Sequence, residues 1–387
     1  MTLRPLPVGP GAAALDVLPA LRAALDGGPA LVPYAAGSPL PDLPDPLGPL
    51  PAGLALVVST SGSTGSPKRA ILTAGALLAS ATATHEVLGG PGSWLLSMPA
   101  QHIAGLQVLI RSLVADTDPG VMDLADGFTP ARFAAAAGQH ARTNPGGRRY
   151  TALVPTQVAR LLDDPAATAA LAAYEAVLVG GAGTPAPVRE RAERAGVRLV
   201  PTYGMSETAG GCVYAGRPLP GASVRVEDGR VLLGGATLAS GYLGRPDLTA
   251  AAFSQDDSGA RWFRTDDAGH LDADGELHVD GRLDDLINTG GYKVSPRVVE
   301  EAILSRLTGI REVVVVGAPD PKWGQTVCAA MVTERADLAR DTLREALRDV
   351  LPAHALPQRT RVVDAIPQRG PGKPDRRAVT AWFTVGQ

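Results

Sequence analysis

The segment STSGSTGSPK, residues 59–68, places six hydroxyl side chains and two glycines in the nine residues before a lysine. Backbone N–H groups exposed by glycine, hydroxyl groups and an ammonium all bind phosphate oxygens in proteins. The same composition is also typical of a flexible linker. The Walker pattern GxxxxGK[ST] is absent, because Pro67 precedes Lys68 and Arg69 follows it. Two interpretations stay open, and a P-loop nucleotide hydrolase is excluded.

Lysine is rare in this chain. The 36 basic residues include only the lysines Lys68, Lys293, Lys322 and Lys373, so arginine supplies nearly every ordinary surface cation. An ammonium is a compact point charge that the planar guanidinium group does not reproduce. The lysines are therefore candidates for a chemical role.

Composition excludes several classes of protein. The chain has 387 residues, 45% hydrophobic residues, a formal net charge of −3 and a pI near 6.1. This charge gives no bulk attraction to nucleic acid or to anionic membrane. The two cysteines, Cys212 and Cys328, fit neither a disulfide framework nor a zinc site. Since no signal peptide or apolar run of about 18 residues is visible, we expect a cytoplasmic protein with small-molecule partners.

The elements that must position a site form an alternating pattern. The expected strands are LALVV, SWLLSM, VMDL, YTALV and EAVLVGG, and the expected helices include IAGLQVLIRSLV and PAPVRERAERAG. This alternation predicts βαβ units and a mostly parallel sheet. Thr129 before Pro130 predicts another helix start. Because residues 59–68 follow the strand LALVV, we expect them in a βα unit at a strand's carboxyl end, where ligands bind.

Beyond Gly210 the sequence changes to strands punctuated by glycine. VRVEDGRVLLGG and GHLDADGELHVDGR predict hairpins with Asp-Gly turns, and therefore a β-rich subdomain. The last hundred residues return to mixed helix and strand patterns. We predict an α/β fold in which residues 1–281 form a large N-terminal domain with mostly parallel sheets and the β-rich subdomain. Residues 282–387 are predicted to form a small, mobile α+β domain.

Several segments together resemble the adenylate-forming superfamily of acyl-CoA and aryl-CoA synthetases, luciferases and adenylation domains. STSGSTGSPK is similar to its phosphate-binding signature, and YGMSET at 203–208 is similar to its YGxTE motif. The other similar segments are GGAG at 180–183, FRTDDAG at 263–269, GRLDDLI at 281–287, GGYKVSP at 290–296 and GK at 372–373. The resemblance covers nearly the whole chain and implies ATP, Mg²⁺ and coenzyme A as ligands.

The resemblance implies a role for each motif residue. A carboxylate that attacks the α-phosphate of ATP needs charge neutralisation and in-line positioning. The implied nucleotide ligands are Ser61, Thr64 and Lys68 for the triphosphate, Gly181 and Tyr203 for adenine, Asp267 with Arg282 for ribose, and Glu207 for Mg²⁺. The implied catalytic residues are Lys373, which bridges carboxylate and phosphate, Glu207 and Ser206, and Asp284 is the implied hinge.

Two positions depart from the family pattern. The family's TGD is Thr265-Asp266-Asp267 here, and we align the ribose ligand with Asp267 rather than Asp266. The threonine of YGxTE is Ser206, which keeps the hydroxyl. The acids in these motifs could also be ordinary solvated loop residues.

Two regions bear on the acid substrate. Residues 98–112 and 153–162 are similar to the o-succinylbenzoate-CoA ligases of menaquinone biosynthesis. That acid has an aromatic ring, a keto group and a second carboxylate, so its pocket needs apolar walls and a few donor or cationic groups. The candidates are His102, Arg111, Thr156 and Gln157. Arg111 could instead point to solvent from its helix, and His102 could be an ordinary residue at a helix start.

Three classes of protein remain open at this point. The first is an acyl-CoA ligase with adenylation and thioester-forming half-reactions, between which the C-terminal domain swings about Asp284. The second is a stand-alone adenylation domain that loads a carrier protein. The third is a nucleotide-binding module without activity, which the retained Lys373 disfavours. A homodimer is also left open.

Overall fold

The computed structural model describes residues 2–44, 50–60, 68–335, 338, 340–368 and 374–384. These residues form four β-sheets with helices packed against them. The strands and helices up to Pro218 are, in chain order, β1 (Leu3–Val8), α1 (Leu18–Leu25), β2 (Ala30–Ala35), β3 (Leu54–Ser59), β4 (Arg69–Thr73), α2 (Ala74–Leu88), β5 (Ser93–Leu96), α3 (Ile103–Val114), β6 (Gly120–Val121), α4 (Pro130–Thr143), β7 (Arg149–Leu153), α5 (Pro155–Leu162), α6 (Pro165–Ala172), β8 (Ala176–Val179), α7 (Ala186–Arg194), β9 (Leu199–Met205), β10 (Gly210–Tyr214) and β11 (Arg217–Pro218).

These strands form two sheets. The N-terminal sheet has the order β1-β2-β3-β4, with β1 to β3 parallel. The central sheet has the order β11-β10-β9-β8-β7-β5-β6, and its pairs from β6 to β9 are parallel. The helix at Ile103–Val114 matches the predicted IAGLQVLIRSLV, and the Thr129 hydroxyl accepts a hydrogen bond from the N–H of Arg132 at 3.3 Å. The predicted mostly parallel α/β architecture is confirmed.

One local prediction is wrong. Residues 59–68 do not connect a strand to a helix, because β3 and β4 pair as antiparallel neighbours. The segment RAILT at Arg69–Thr73 forms strand β4, and only after it does α2 begin. Thr73 caps that helix by accepting the N–H of Ala76 at 3.2 Å. A short apolar run beside an alanine-rich helix does not show where the strand ends and the helix starts.

The β-rich region follows the central sheet. Its elements are β12 (Ala222–Glu227), β13 (Arg230–Gly235), β14 (Gly241–Tyr242), α8 (Pro246–Ala252), β15 (Phe253–Gln255), β16 (Arg261–Leu271) and β17 (Leu277–Arg282). Strand β14 extends the N-terminal sheet beside β4. The other strands form an antiparallel sheet in the order β12-β13-β16-β15, with β17 beside β16. Asp228 and Gly229 both have left-handed φ angles, 49° and 76°. The predicted Asp-Gly hairpin turn is confirmed.

The remaining residues form a mixed α+β unit. Its elements are β18 (Ile287–Thr289), β19 (Tyr292–Val294), α9 (Pro296–Arg306), β20 (Ile310–Asp320), β21 (Gly324–Thr333), α10 (Arg340–Leu347), β22 (Arg359–Val362) and α11 (Arg376–Thr384). The sheet order is β19-β18-β21-β20, with β22 parallel to β21. Buried apolar residues from Ile287 to Val379 pack in clusters of their own. In the described part of the chain, no helix has the length and apolarity needed to cross a membrane.

Candidate active site

The carboxyl ends of β5, β7, β8 and β9 meet at one edge of the central sheet, because these strands are parallel. Ligands bind outside this edge in open α/β sheets. The segments that follow these strands contain the predicted site residues His102, Thr156, Gln157, Gly181, Ser206 and Glu207. The sheet topology therefore gathers residues that are far apart in sequence.

Tyr203 on β9 contacts the antiparallel sheet through Asp267 on β16. Its hydroxyl donates a hydrogen bond to Oδ2 of Asp267 at 2.7 Å. Burial is the main cause that raises the pKa of Asp267, and the Tyr203 hydrogen bond opposes it. The Asp267 side chain is 13% exposed, whereas that of Asp266 is 60% exposed. Neighbouring strand residues face opposite sides, so Asp267 is the aspartate of this pair that faces Tyr203.

Arg282 lies at the end of β17 and contacts the predicted hinge residue. Its Nε and Nη2 donate to both carboxylate oxygens of Asp284, at 2.8 and 3.0 Å. This hydrogen bonding is the main cause that lowers the pKa of Asp284. The nearest approach of Arg282 to Asp267 is longer, 3.9 Å. Arg282 therefore holds Asp284 directly and acts on Asp267 mainly through its charge.

Glu207 is buried in the helical turn Ser206–Thr208, directly after β9. Its Oε1 accepts a hydrogen bond from the Tyr242 hydroxyl at 2.8 Å. Nζ of Lys68 lies 5.2 Å from the centroid of the Tyr242 ring, a cation–π distance. Tyr242 thus joins two predicted site residues. Sequence reasoning missed Tyr242, because an isolated tyrosine beside a glycine carries no chemical signal.

The surroundings of Glu207 fit a magnesium ion that also binds substrate phosphate. Burial raises the pKa of Glu207, with Tyr242 and Lys68 as smaller opposing influences. A nearby cation would stabilise the ionised carboxylate. No group of three or more His, Cys, Asp or Glu side chains in the described residues could hold a metal ion. Mg²⁺ needs no such cage, since it commonly takes one or two carboxylates together with phosphate and water oxygens.

The glycine-rich segment after β8 lies close to β9. Gly181 has a φ of +82°, a conformation that glycine adopts without steric cost. A Cβ at Gly180 would lie 2.6 Å from Oγ1 of Thr202 on β9, so a larger residue would clash there. Three predicted site residues, Ser61, Thr64 and Lys373, lie outside the described residues.

Arg111 is buried in α3, and the alternative that it points to solvent is wrong. Only 3% of the residue is exposed, and all eight residues of Gly105–Ser112 are buried. Nη2 donates to the Tyr214 hydroxyl at 3.2 Å, and the guanidinium carbon lies 4.9 Å from the centroid of the Trp94 ring. Burial lowers the pKa of Arg111. No carboxylate of the described residues forms an ion pair with it.

The other predicted acid-binding residues lie at helix starts. Gln157 caps α5, since its Oε1 accepts the N–H of Val154 at 2.9 Å while its Nε2 donates to the carbonyl of Ser97 at 3.4 Å. Gln157 therefore has a structural role at the sheet edge. Thr156 is half-buried beside it, and His102 is exposed at the start of α3.

Family models match both parts of the chain. The AMP-binding enzyme family matches residues 15–243, and the AMP-binding enzyme C-terminal domain matches residues 300–373. The chain belongs to the AMP-binding enzymes. The two matched ranges of this AMP-binding enzyme include Lys68, Arg111, Glu207 and Lys373, whereas Asp267 lies between them.

Several proteins similar to this AMP-binding enzyme are named as coenzyme A ligases. It is 45% identical, over 98% of both chains, to the probable 2-succinylbenzoate–CoA ligase of Mycobacterium tuberculosis. It is 33% identical to the sulfoacetate–CoA ligase of Cupriavidus necator, over 93% of this chain and 70% of that one. A solved structure of O-succinylbenzoate coenzyme A synthetase from Bacillus subtilis, in complex with ATP and magnesium ion, has a TM-score of 0.70 and 26% identity, covering 84% and 69% of the two chains. The predicted superfamily and fold class are confirmed.

Proposed function

We propose that this chain is an ATP-dependent ligase that converts 2-succinylbenzoate, through an acyl-adenylate, to its coenzyme A thioester in menaquinone biosynthesis. The full-length similarity to the ligase of Mycobacterium tuberculosis supports this function. Pyrophosphate leaves in the first half-reaction and AMP in the second. A ligase for another acid is the alternative, and so is an adenylation domain that loads a carrier protein.

The burial of Arg111 without an anionic partner among the described residues is the observation on which the assignment of the acid substrate depends. 2-Succinylbenzoate has two carboxylates, so one stays ionised while the other is activated. A buried guanidinium without an anionic partner is costly, and a bound carboxylate removes that cost. The Trp94 ring beside Arg111 supplies an apolar wall. Sulfoacetate, the acid named for one relative, likewise carries a second anionic group.

The nucleotide site is formed by the two β-sheets that meet at Tyr203 and Asp267. Tyr203 offers an aromatic face to adenine beside Gly181, and Asp267 accepts hydrogen bonds from the ribose hydroxyls. Lys68 neutralises charge on the phosphates. Tyr203 and Gly181 lie at the carboxyl edge of the central sheet, and Asp267 contacts Tyr203 there through a hydrogen bond, which supports this assignment.

Glu207 would hold Mg²⁺, which when bound neutralises charge on the triphosphate and so favours attack on the α-phosphate. The Tyr242 hydroxyl orients the Glu207 carboxylate through its 2.8 Å hydrogen bond. Ser206, the neighbouring residue, donates its hydroxyl to a phosphate oxygen. These roles need a site that excludes water, and the burial of Ser206 and Glu207 supports them.

The chain is divided into an N-terminal domain, residues 1–281, and a C-terminal domain, residues 282–387, which carries Lys373. Asp284 is the hinge. Its place between β17, which ends at Arg282, and β18, which begins the C-terminal sheet at Ile287, supports this assignment. Lys373 reaches the carboxylate and the α-phosphate only during adenylation.

A pyrophosphate-release assay with 2-succinylbenzoate, sulfoacetate and benzoate, with and without coenzyme A, tests the function. We expect kcat/KM for 2-succinylbenzoate to exceed that for benzoate by about tenfold or more, because benzoate leaves Arg111 without an anion. Mass spectrometry should identify a coenzyme A thioester as the product. A preference for sulfoacetate would overturn the assignment of 2-succinylbenzoate as the acid, but the assignment of the chain as a coenzyme A ligase would still hold. Transfer to a carrier protein but not to coenzyme A would overturn the ligase itself.

Asp267→Ala should raise KM for ATP by about tenfold or more, because a charged hydrogen bond contributes roughly 1.5–3 kcal/mol. The matched control is Asp266→Ala, which removes an exposed carboxylate from the neighbouring position and should change KM for ATP by less than about twofold. Initial rates at saturating acid measure both values. If Asp266→Ala had the larger effect, the ribose ligand would be Asp266.

A further inference from the structure

Buried polar atoms without a hydrogen-bond partner occur on the packed helices α2 and α3, which carry Ser80, Gln107 and Arg111. In the described part of the chain they include Nε of Arg111, Oε1 of Gln107 and Oγ of Ser80. Gln107 and Arg111 are one turn apart on α3 and face the same side. Nε2 of Gln107 donates to the carbonyl of Leu77 on α2, which places Ser80, one turn further along α2, beside this face. Such atoms are costly when unpaired, so a polar group that reached them would be bound favourably.

A chain of hydroxyl groups holds the guanidinium of Arg111. Oγ1 of Thr84 donates its proton to the carbonyl of Ser80 at 2.7 Å. Thr84 can therefore only accept from the Tyr214 hydroxyl, which lies 2.9 Å away. The Tyr214 oxygen is then left to accept the N–H of Arg111 at 3.2 Å. Each group in this series donates to the next, from Arg111 to Tyr214 to Thr84. The series ends on the backbone carbonyl of Ser80, which is fixed within α2.

The face of the Trp94 ring packs against the Arg111 guanidinium in a cation–π contact. Its centroid lies 4.9 Å from the guanidinium carbon of Arg111. Nε1 of Trp94 donates to Nε2 of His85 at 3.1 Å, which fixes the plane of the ring. Tyr150 packs against the same ring, at 5.0 Å between centroids, and its hydroxyl donates to the carbonyl of Gly90 at 3.0 Å. Tyr150 therefore shares the core with Trp94, but its hydroxyl is bound elsewhere.

We infer that Tyr214 and Trp94 are positioning residues that orient the Arg111 guanidinium, so that its unpaired N–H meets the second anionic group of the acid. They thereby select acids with two anionic groups. The inference rests on the proposed function, since it assumes that Arg111 contacts the acid. Tyr214 itself does not touch the substrate in this arrangement and acts through Arg111.

Tyr214→Phe tests this role because it removes only the hydroxyl. We expect KM for 2-succinylbenzoate to rise by about tenfold, with kcat within about threefold and KM for ATP unchanged. Tyr150→Phe, a buried tyrosine that lacks a contact with Arg111, is the matched control and should leave KM for the acid unchanged. If Tyr214→Phe fails to fold, Thr84→Val removes the next group of the hydroxyl chain and should raise the same KM.

A double-mutant comparison separates positioning from general stability. In an Arg111→Gln background, Tyr214→Phe should have no further effect on KM for the acid, because the group that it orients is gone. An equal rise in KM with and without Arg111, or an unchanged KM in Tyr214→Phe, would overturn the inference.

The acid preference of the wild-type enzyme distinguishes the proposed function from the proposed positioning role of Tyr214 and Trp94. If the wild type prefers another acid with two anionic groups, the proposed substrate is wrong, and the same variants measured on that acid still decide the role of Tyr214. If it prefers acids with one anionic group, both proposals fail.

Discussion

Lys373→Ala should reduce acyl-adenylate formation by more than about a hundredfold, and leave the transfer of a pre-formed acyl-adenylate to coenzyme A within about tenfold of wild type. The transition state of adenylation concentrates negative charge between the carboxylate and the α-phosphate, and a positioned cation contributes about 3 kcal/mol or more there. Thioester formation from the acyl-adenylate needs no such cation. Single-turnover assays of the two half-reactions measure both values.

The described residues on either side of Lys373 are anchored, so the substitution should not unfold the C-terminal mixed α+β unit. Gln368 and Pro374 pair as an antiparallel bridge. Arg376 donates to both carboxylate oxygens of Glu300, at 2.7 and 3.2 Å. These contacts lie outside the altered side chain, and the thermal unfolding midpoint of the variant should match that of wild type.

Arg377→Ala is the control for Lys373→Ala, since it removes an exposed cation four residues away. We expect both half-reactions to keep their rates. Equal losses in the two half-reactions of Lys373→Ala would show that this lysine serves both steps, and the proposed domain motion would lose its support.

Acidification from pH 6.5 to pH 4.5 should destabilise the fold around the central sheet through two buried histidines. Burial lowers the pKa of His85 and of His140 from 6.5 to about 4. Above pH 6.5 both are neutral in the folded and unfolded states; below it the unfolded chain binds protons that the folded chain does not. Stability is therefore lost as the pH falls, by about 2–3 kcal/mol for each histidine at pH 4.5.

Glutamine variants measure this effect. His140→Gln keeps a polar atom near Oγ of Ser93, which Nε2 of His140 contacts at 2.7 Å, but cannot titrate. The thermal unfolding midpoint of His140→Gln should fall less between pH 7 and pH 4.5 than that of wild type. His270→Gln, at an exposed histidine, is the control for the substitution itself. The pKa values of Glu207 and Asp267 are raised by folding, so these carboxyls favour the folded state as the pH falls. Because both are present in every variant, their effect cancels when the variants are compared with wild type.

Short-range patterns predicted most of the elements. The helix at Ile103–Val114, the cap at Thr129 and the turn at Asp228 and Gly229 all depend on signals within a few residues. The choice of Asp267 over Asp266 also agrees with strand alternation, because only Asp267 faces Tyr203. The motifs predicted the family for the same reason, since each is a short run of residue types in a set order.

The sequence by itself therefore determined the family, the α/β class and the candidate chemistry, whereas the tertiary structure alone decided how distant side chains meet. The contact of Tyr242 with Glu207 and the antiparallel pairing of β3 with β4 join segments whose local patterns do not refer to each other. The burial of Arg111 is a further case. Helix α3 is apolar around most of its circumference, so helical periodicity did not show which way this arginine points. Packing against Trp94 and Tyr214 decided it, because these neighbours give the buried guanidinium a ring face and an acceptor.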